Sequence, residues 1–250
     1  MAYTTNRFCW HGLLTTDTDK AGAFYPEVLG WKAEEMEMGG ETATMFSVGG
    51  VPIAHYMKPP MDGVPSHWAN YLRVDDVDSL TKKVVENGGK VIAEPTDIPP
   101  GRFSVIASPS GAALCLFHEA DENTAQHHPG GTGGVHWTEL HSKDIDKDLA
   151  WLRSTFGFET QDVPMPDGTY SMLMHGGERR GGAMKAMMEQ APSMWLTWFS
   201  VDNCDDALKR VTSNGGKTLS EAMDMPGVGR MAVVSDPTGG VFGVITPASA

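Results

Sequence analysis

Hydrophobic positions along the chain recur at two spacings. "CWHGLLTT" (9–16) is a short apolar run of strand character, and it gives way to a helical pattern over about 18–29. There Ala21, Phe24 and Val28 fall on one face at helical spacing. Asp17, Thr18 or Asp19 can accept from the free N–H groups of the helix start, and Gly30 is placed to end it. "ATMFSVGG" and "VPIAHYM" then alternate and break at glycine, which predicts hairpin strands. The pattern restarts with the strand "WANYLRV" and a helix over 76–87 that turns Val77, Leu80 and Val84 inward. "NGG" follows, then the strands "KVIAEP", "FSVIASP" and "AALCLFH". The unit is β-α-β-β-β.

The same text is then written again. "WHGLLTTDTDKAGAFYPEVLGW" (10–31) echoes "WTELHSKDIDKDLAWLRSTFGF" (137–158) at an offset of 127. That offset also relates Met57 to Met184, Trp68 to Trp195, Val74 to Val201, and the "NGGK" at 87–90 to the "NGGK" at 214–217. After one inserted residue, Gly101-Arg102 matches Gly229-Arg230, and "SPSG" (108–111) matches "DPTG" (236–239). Leu149, Leu152 and Phe156 stripe the first helix of the second copy. Cys204, Ala207, Leu208 and Val211 stripe its second. A tandem duplication divides the chain into domains at 1–118 and 134–250 with a polar, Gly-rich linker at 119–133. His127 and His128 in that linker read as solvated rather than metal-bound. The expected fold is α+β: four βαβββ modules paired into two domains with cupped sheets, each buried on one face under helices. The cup is the natural pocket for a small molecule.

Charge and composition narrow the partners. A formal net charge of −13 argues against nucleic acid and anionic membrane surfaces. No apolar run reaches the length of a transmembrane helix, and the first residues lack the pattern of a signal peptide. Cys9, Cys115 and Cys204 are odd in number and without CxxC spacing, which fits the reduced cytoplasm and no structural zinc. The expected partner is a small-molecule ligand, and the expected assembly a monomer or homodimer.

The segments "DTDKAGAFYPEVLGW", "VDDVDSLTKKVVENGGKVIAEP" and "GRFSVIASPSGAALCLF", with their repeats "DIDKDLAWLRSTFGF", "VDNCDDALKRVTSNGGKT" and "GRMAVVSDPTGGVFGVI", carry a resemblance. The chain is similar to the vicinal oxygen chelate superfamily of glyoxalases, bleomycin-resistance proteins and extradiol dioxygenases. It looks most like tandem two-domain glyoxalase-like members. The resemblance implies the fold, while chemistry must be argued from the site. In metal-dependent members, His and Glu from the first strands of two modules and the last strand hold a divalent ion. Its open positions take adjacent oxygens of a substrate.

Counting from local landmarks puts Trp10, Ala69 and Cys115 at those positions in the first half. In the second half the count gives Trp137, Leu196 and Gly243. None is His, Asp or Glu, so the expectation is no metal ligand set and no cofactor; the alternative is one divalent ion held in another register. His11 is expected on the helix-facing or edge side, and His55 near a fourth ligand position. Cys115 reads as a small core residue.

Trp10, Tyr71, Trp137 and Trp198 are expected to line the cups as ligand-binding residues, with Arg73 following Tyr71 on its face. Trp137, Glu139 and His141 alternate along one strand, so all three are expected on the cup side. Glu139 and His141 are the candidate catalytic residues, an acid and a base. Counted as four residues apart, roughly 13 Å along an extended strand, the two are expected not to touch. In the competing reading Glu139 pairs with a buried arginine and His141 lies at the rim. Arg102 and Arg230, each after a glycine, suggest salt bridges that close a hairpin. The best reading is a glyoxalase- or bleomycin-resistance-like binder of a small aromatic or hydrophobic compound without the usual metal. The alternative is a metal-dependent lyase or dioxygenase of the same superfamily.

Overall fold

The computed structural model describes residues 5–38, 41–121, 130–165, 168–187 and 190–248. His127 and His128 lie outside the described residues. The first two modules run β1 (Arg7–Leu14), α1 (Thr18–Leu29), β2 (Lys32–Met38), β3 (Glu41–Val48), β4 (Val51–Met57), then β5 (His67–Arg73), α2 (Val77–Glu86), β6 (Lys90–Ile98), β7 (Gly101–Ala107), β8 (Ala113–Glu119). The second copy runs β9 (Val135–Ser142), α3 (Ile145–Phe156), β10 (Glu159–Met165), β11 (Gly168–His175), β12 (Glu178–Lys185), β13 (Met194–Ser200) and α4 (Cys204–Ser213). It ends with β14 (Lys217–Thr218), β15 (Met223–Met225), β16 (Gly229–Ser235) and β17 (Val241–Pro247). The expected βαβββ order appears four times. In the last module the second strand is broken into β14 and β15, each pairing with β16.

β1–β8 form an eight-stranded sheet in the order β2-β3-β4-β1-β5-β8-β7-β6, and the second copy repeats the order as β10-β11-β12-β9-β13-β17-β16-β14. Hairpins are antiparallel, whereas the module's first and last strands pair parallel: Gly12 lies opposite His55, Tyr71 opposite Cys115, Glu139 opposite Gly182, and Trp198 opposite Gly243.

By contact, the chain gathers into two compact units. One comprises residues 1–10, 70–126 and 138–195; the other comprises 11–69, 127–137 and 196–250. The first unit has its own core, in which Val77 and Val84 of α2 and Leu149, Trp151 and Leu152 of α3 pack with Leu114, Leu116 and Leu173. The core of the second joins Ala21, Phe24 and Val28 of α1 to Ala207 and Val211 of α4, with Phe46, Phe199 and Phe242. Helix stripes and caps follow the sequence pattern. The Asp17 side chain accepts from the Lys20 N–H, and Gly30 ends α1 at φ 71°, a left-handed conformation costly for other residues.

Arg102 and Arg230 have the structural role expected of them. Arg102 Nη2 donates to Asp78 in the first turn of α2 at 2.8 Å, and its Nη1 donates to Asp97 on the partner strand at 2.8 Å. Arg230 repeats this with Asp205 and Asp224, both at 2.9 Å.

Candidate functional site

In the first unit, Glu139 and His141 stand two residues apart on β9. Their expected separation is corrected: His141 Nε2 lies 2.8 Å from Glu139 Oε1. Two residues of extended chain advance only about 6.5–7 Å, and both side chains leave the same face. A glutamate and a histidine together close that gap. The partner of the second carboxylate oxygen is not an arginine. The Tyr170 hydroxyl, from β11, donates to Glu139 Oε2 at 2.8 Å. Glu139 and His141 side chains are 7% and 14% exposed.

Gly182 makes room for this. It lies opposite Glu139 on β12, and a Cβ built on it would overlap the Tyr170 hydroxyl and ring. In the second unit the corresponding pair is reversed. Gly12 is the small residue, and the His55 ring occupies the space its Cβ would take. Burial pulls the His55 imidazole down to about 4. The repeat therefore keeps one large and one absent side chain at this strand pair, but exchanges which strand carries which.

The other candidates divide between the units. In the first, Trp10 is half-buried. Tyr71 meets Phe117 edge-on with ring centroids 6.1 Å apart. Burial raises its phenol well above the usual range, and the neighbouring Cys115 adds to the rise. Cys115 is itself buried, its thiol pushed up to about 12. Arg73 donates from Nε to Glu119 Oε1 at 2.8 Å in a largely buried ion pair. In the second unit, Trp137 is half-buried and Trp198 buried. The Trp198 ring lies across Gly243, where a Cβ would overlap it. Its indole N–H is buried without a hydrogen-bond partner among the described residues. His11 is buried on β1 and its Nδ1 lies 3.4 Å from Thr197 Oγ1 of β13.

A cleft of about 440 Å³ in the first unit contains none of these residues. Asn6, Val74, Leu80, Lys83, Phe156 and His175 are on its wall. Asn6, at φ 54°, donates from Nδ2 to the Phe156 carbonyl at 2.7 Å and lies 3.2 Å from His175 Nδ1. Sequence reasoning missed it, because its residues come from distant segments with no shared motif.

The resemblance implies a divalent ion in metal-dependent members, and the described residues do not fit one. Among the described residues, no group of three or more His, Cys, Asp or Glu side chains is disposed to hold a metal ion. Glu139 and His141 are only two donors and engage each other. At the position of Gly243 stands the Trp198 ring.

The chain belongs to the superfamily described as "Glyoxalase/Bleomycin resistance protein/Dioxygenase superfamily", whose profile matches residues 6–116 and 134–243. It is 34% identical over 246 residues to the protein named "Putative glyoxylase CFP32" of Mycobacterium tuberculosis (strain CDC 1551 / Oshkosh), covering 96% of this chain and 94% of that one. It is 31% identical to "Anthracycline biosynthesis protein DauV" of Streptomyces sp. (strain C5), covering 94% and 91%. Among solved structures, the Mn(II)-bound glyoxalase from Novosphingobium aromaticivorans matches with a TM-score of 0.65 at 17% identity, covering 97% of this chain and 82% of that one. This last likeness is one of fold alone.

Proposed function

We propose that this protein binds a small aromatic or hydrophobic compound without the divalent metal centre of its metal-dependent relatives. One observation carries the reading. Trp198 occupies the space above Gly243 and holds a buried indole N–H with no partner among the described residues. An unsatisfied buried donor costs about 1–3 kcal/mol, which an acceptor on a bound ligand would recover. The half-buried Trp10 and Trp137 each offer indole surface of the kind that suits a flat ligand carrying a carbonyl or hydroxyl. The relative DauV is named for anthracycline biosynthesis, and flat aromatic ketones and quinones are accordingly the first class to test.

Two measurements check this reading. Elemental analysis of the purified protein should find no stoichiometric manganese, iron, nickel or zinc. Thermal-shift and tryptophan-fluorescence titrations with bicyclic to tetracyclic aromatic ketones and quinones should find a compound that quenches emission saturably. A compound held at 100 times its Kd should stabilise the fold by about 2.7 kcal/mol. A bound metal at one equivalent would overturn the metal-free reading, and silence across the panel would overturn the binding reading.

A further inference from the structure

We propose that the two repeats recognise each other through one buried carboxylate per contact, supplied each time by the second repeat. This single charge specifies pairing of unlike repeats and rejects pairing of like ones. The surface concerned is the same in both units. The turn before the last strand of one repeat packs against the first helix of the other.

In the first unit the acid stands on the helix. Asp148 of α3 is buried. Its Oδ1 accepts from the Ser110 N–H, in the turn between β7 and β8, at 3.1 Å. Its Oδ2 accepts from Ser142 Oγ at 2.7 Å and from Ser110 Oγ. The Ser110 and Ser142 hydroxyls lie 3.3 Å apart. In the second unit the acid stands on the turn. Asp236, between β16 and β17, is buried, and its Oδ2 accepts from the Tyr25 hydroxyl of α1 at 2.9 Å. Its Oδ1 accepts from the Thr238 and Gly240 N–H groups of its own turn at 2.7 and 2.9 Å. The Thr238 and Thr15 hydroxyls lie 3.0 Å apart and repeat the contact of Ser110 with Ser142. The two contacts are therefore one surface with the acid moved across it. The repeat offset places Ala21 at the position of Asp148, Ser108 at that of Asp236 and Leu152 at that of Tyr25.

A buried carboxylate needs donors around it and no second anion beside it. Pairing unlike repeats meets both conditions twice. A second-repeat helix on a second-repeat turn would bury Asp148 beside Asp236, and Leu152 would replace the phenol that donates to Asp236. A first-repeat helix on a first-repeat turn would set Ala21 and Tyr25 against Ser108 and Ser110. No acid is then present, and Tyr25 loses its acceptor. Like-repeat contacts are thus penalised on both sides, most where two charges meet. The turns match this division of labour. A Cβ on Gly240 would come within 2.7 Å of Asp236 Oδ2, whereas Ala112 stands at the same position beside Ser108. The partner each surface fits is the unlike repeat.

The test builds the like-repeat contact inside the intact chain. Ser108→Asp with Ala112→Gly gives the first-repeat turn the acid and the glycine of the second, opposite Asp148. The urea midpoint should fall by about 1 M or more. Adding Asp148→Ala returns the contact to one acid and should recover most of that loss. In the wild-type background Asp148→Ala should instead destabilise, because it strands the donors of Ser110 and Ser142. The effect of one substitution thus reverses sign with the turn opposite it. Ser108→Asn with Ala112→Gly supplies the shape without the charge and should cost much less than the aspartate turn. Ala112→Gly alone measures the lost methyl. If Asp148→Ala destabilises both backgrounds alike, or the asparagine turn costs as much as the aspartate turn, the proposal is overturned and the contact reads shape alone. A turn variant that folds only with Asp148→Ala present supports it. If the variant folds in neither background, Ala21→Asp in the second unit, with Asp236→Ser as the restoring change, decides by the same criteria.

Discussion

Tyr170 occupies the space that Gly182 leaves empty: a Cβ on Gly182 would overlap the phenol that donates to Glu139. One missing side chain on β12 thus admits the group that holds Glu139 beside His141 on β9.

Gly182→Ala should therefore displace the Tyr170 ring. The expected cost is about 1–3 kcal/mol, the range for overpacking a filled site. In a Tyr170→Ala background the same substitution should cost much less, because the clashing ring is gone. Urea denaturation of the four proteins measures the coupling. Equal costs in both backgrounds would mean that the glycine serves another purpose.

His55 predicts an acid limb in the stability curve. Burial holds its folded-state value at about 4, against about 6.5 when unfolded. Below the unfolded value the unfolded chain binds a proton that the folded chain refuses. Stability is therefore full above about pH 6.5 and falls as the pH drops towards 4, by roughly 3 kcal/mol if the shift is complete. His55→Phe keeps a ring over Gly12 and should flatten that limb. Denaturant midpoints between pH 4 and 7 for the two proteins decide it.

Arg73 and Glu119 form an ion pair whose side chains are 12% and 4% exposed. Glu119→Gln removes the carboxylate charge from this largely buried pair, so a loss of roughly 3–5 kcal/mol is expected. Replacing both residues, as Arg73→Met with Glu119→Leu, should recover much of it. Chemical denaturation of the single and double variants separates the outcomes. A double variant no more stable than the single one would show that the pair's shape matters more than its charge.

Gly243→Ala should push Trp198 off β17. The expected signs are a changed near-ultraviolet dichroism spectrum and weaker ligand quenching, with the far-ultraviolet spectrum kept. Trp198→Phe should retain the packing but lose the N–H. Any ligand held by that donor should bind at least several-fold more weakly to it. Unchanged affinity in both variants would place the ligand elsewhere.

Much of the architecture was legible because it rests on local periodicity. Ala21, Phe24 and Val28 mark a helix face by spacing alone, and the offset between Trp10 and Trp137 reveals the duplication without any contact being known. The contact between Glu139 and His141 was within reach of the same reasoning: the expected separation counted four residues where the sequence has two, and two positions on one strand face lie near enough for long side chains to meet. Tyr170 was not within reach. It stands 31 residues from Glu139, on a strand that never pairs with β9, and only the empty position at Gly182 on the strand between them brings the phenol across.

The sequence by itself determined the four modules and their helix faces and caps. All of these follow from residue type and spacing along one chain. Only the tertiary structure decided which side chains fill the glycine gaps. His55 lies over Gly12, Tyr170 over Gly182 and Trp198 over Gly243. The reason is steric. A glycine in a strand is an absence, and what enters it depends on the neighbouring strands, whose order no local pattern encodes.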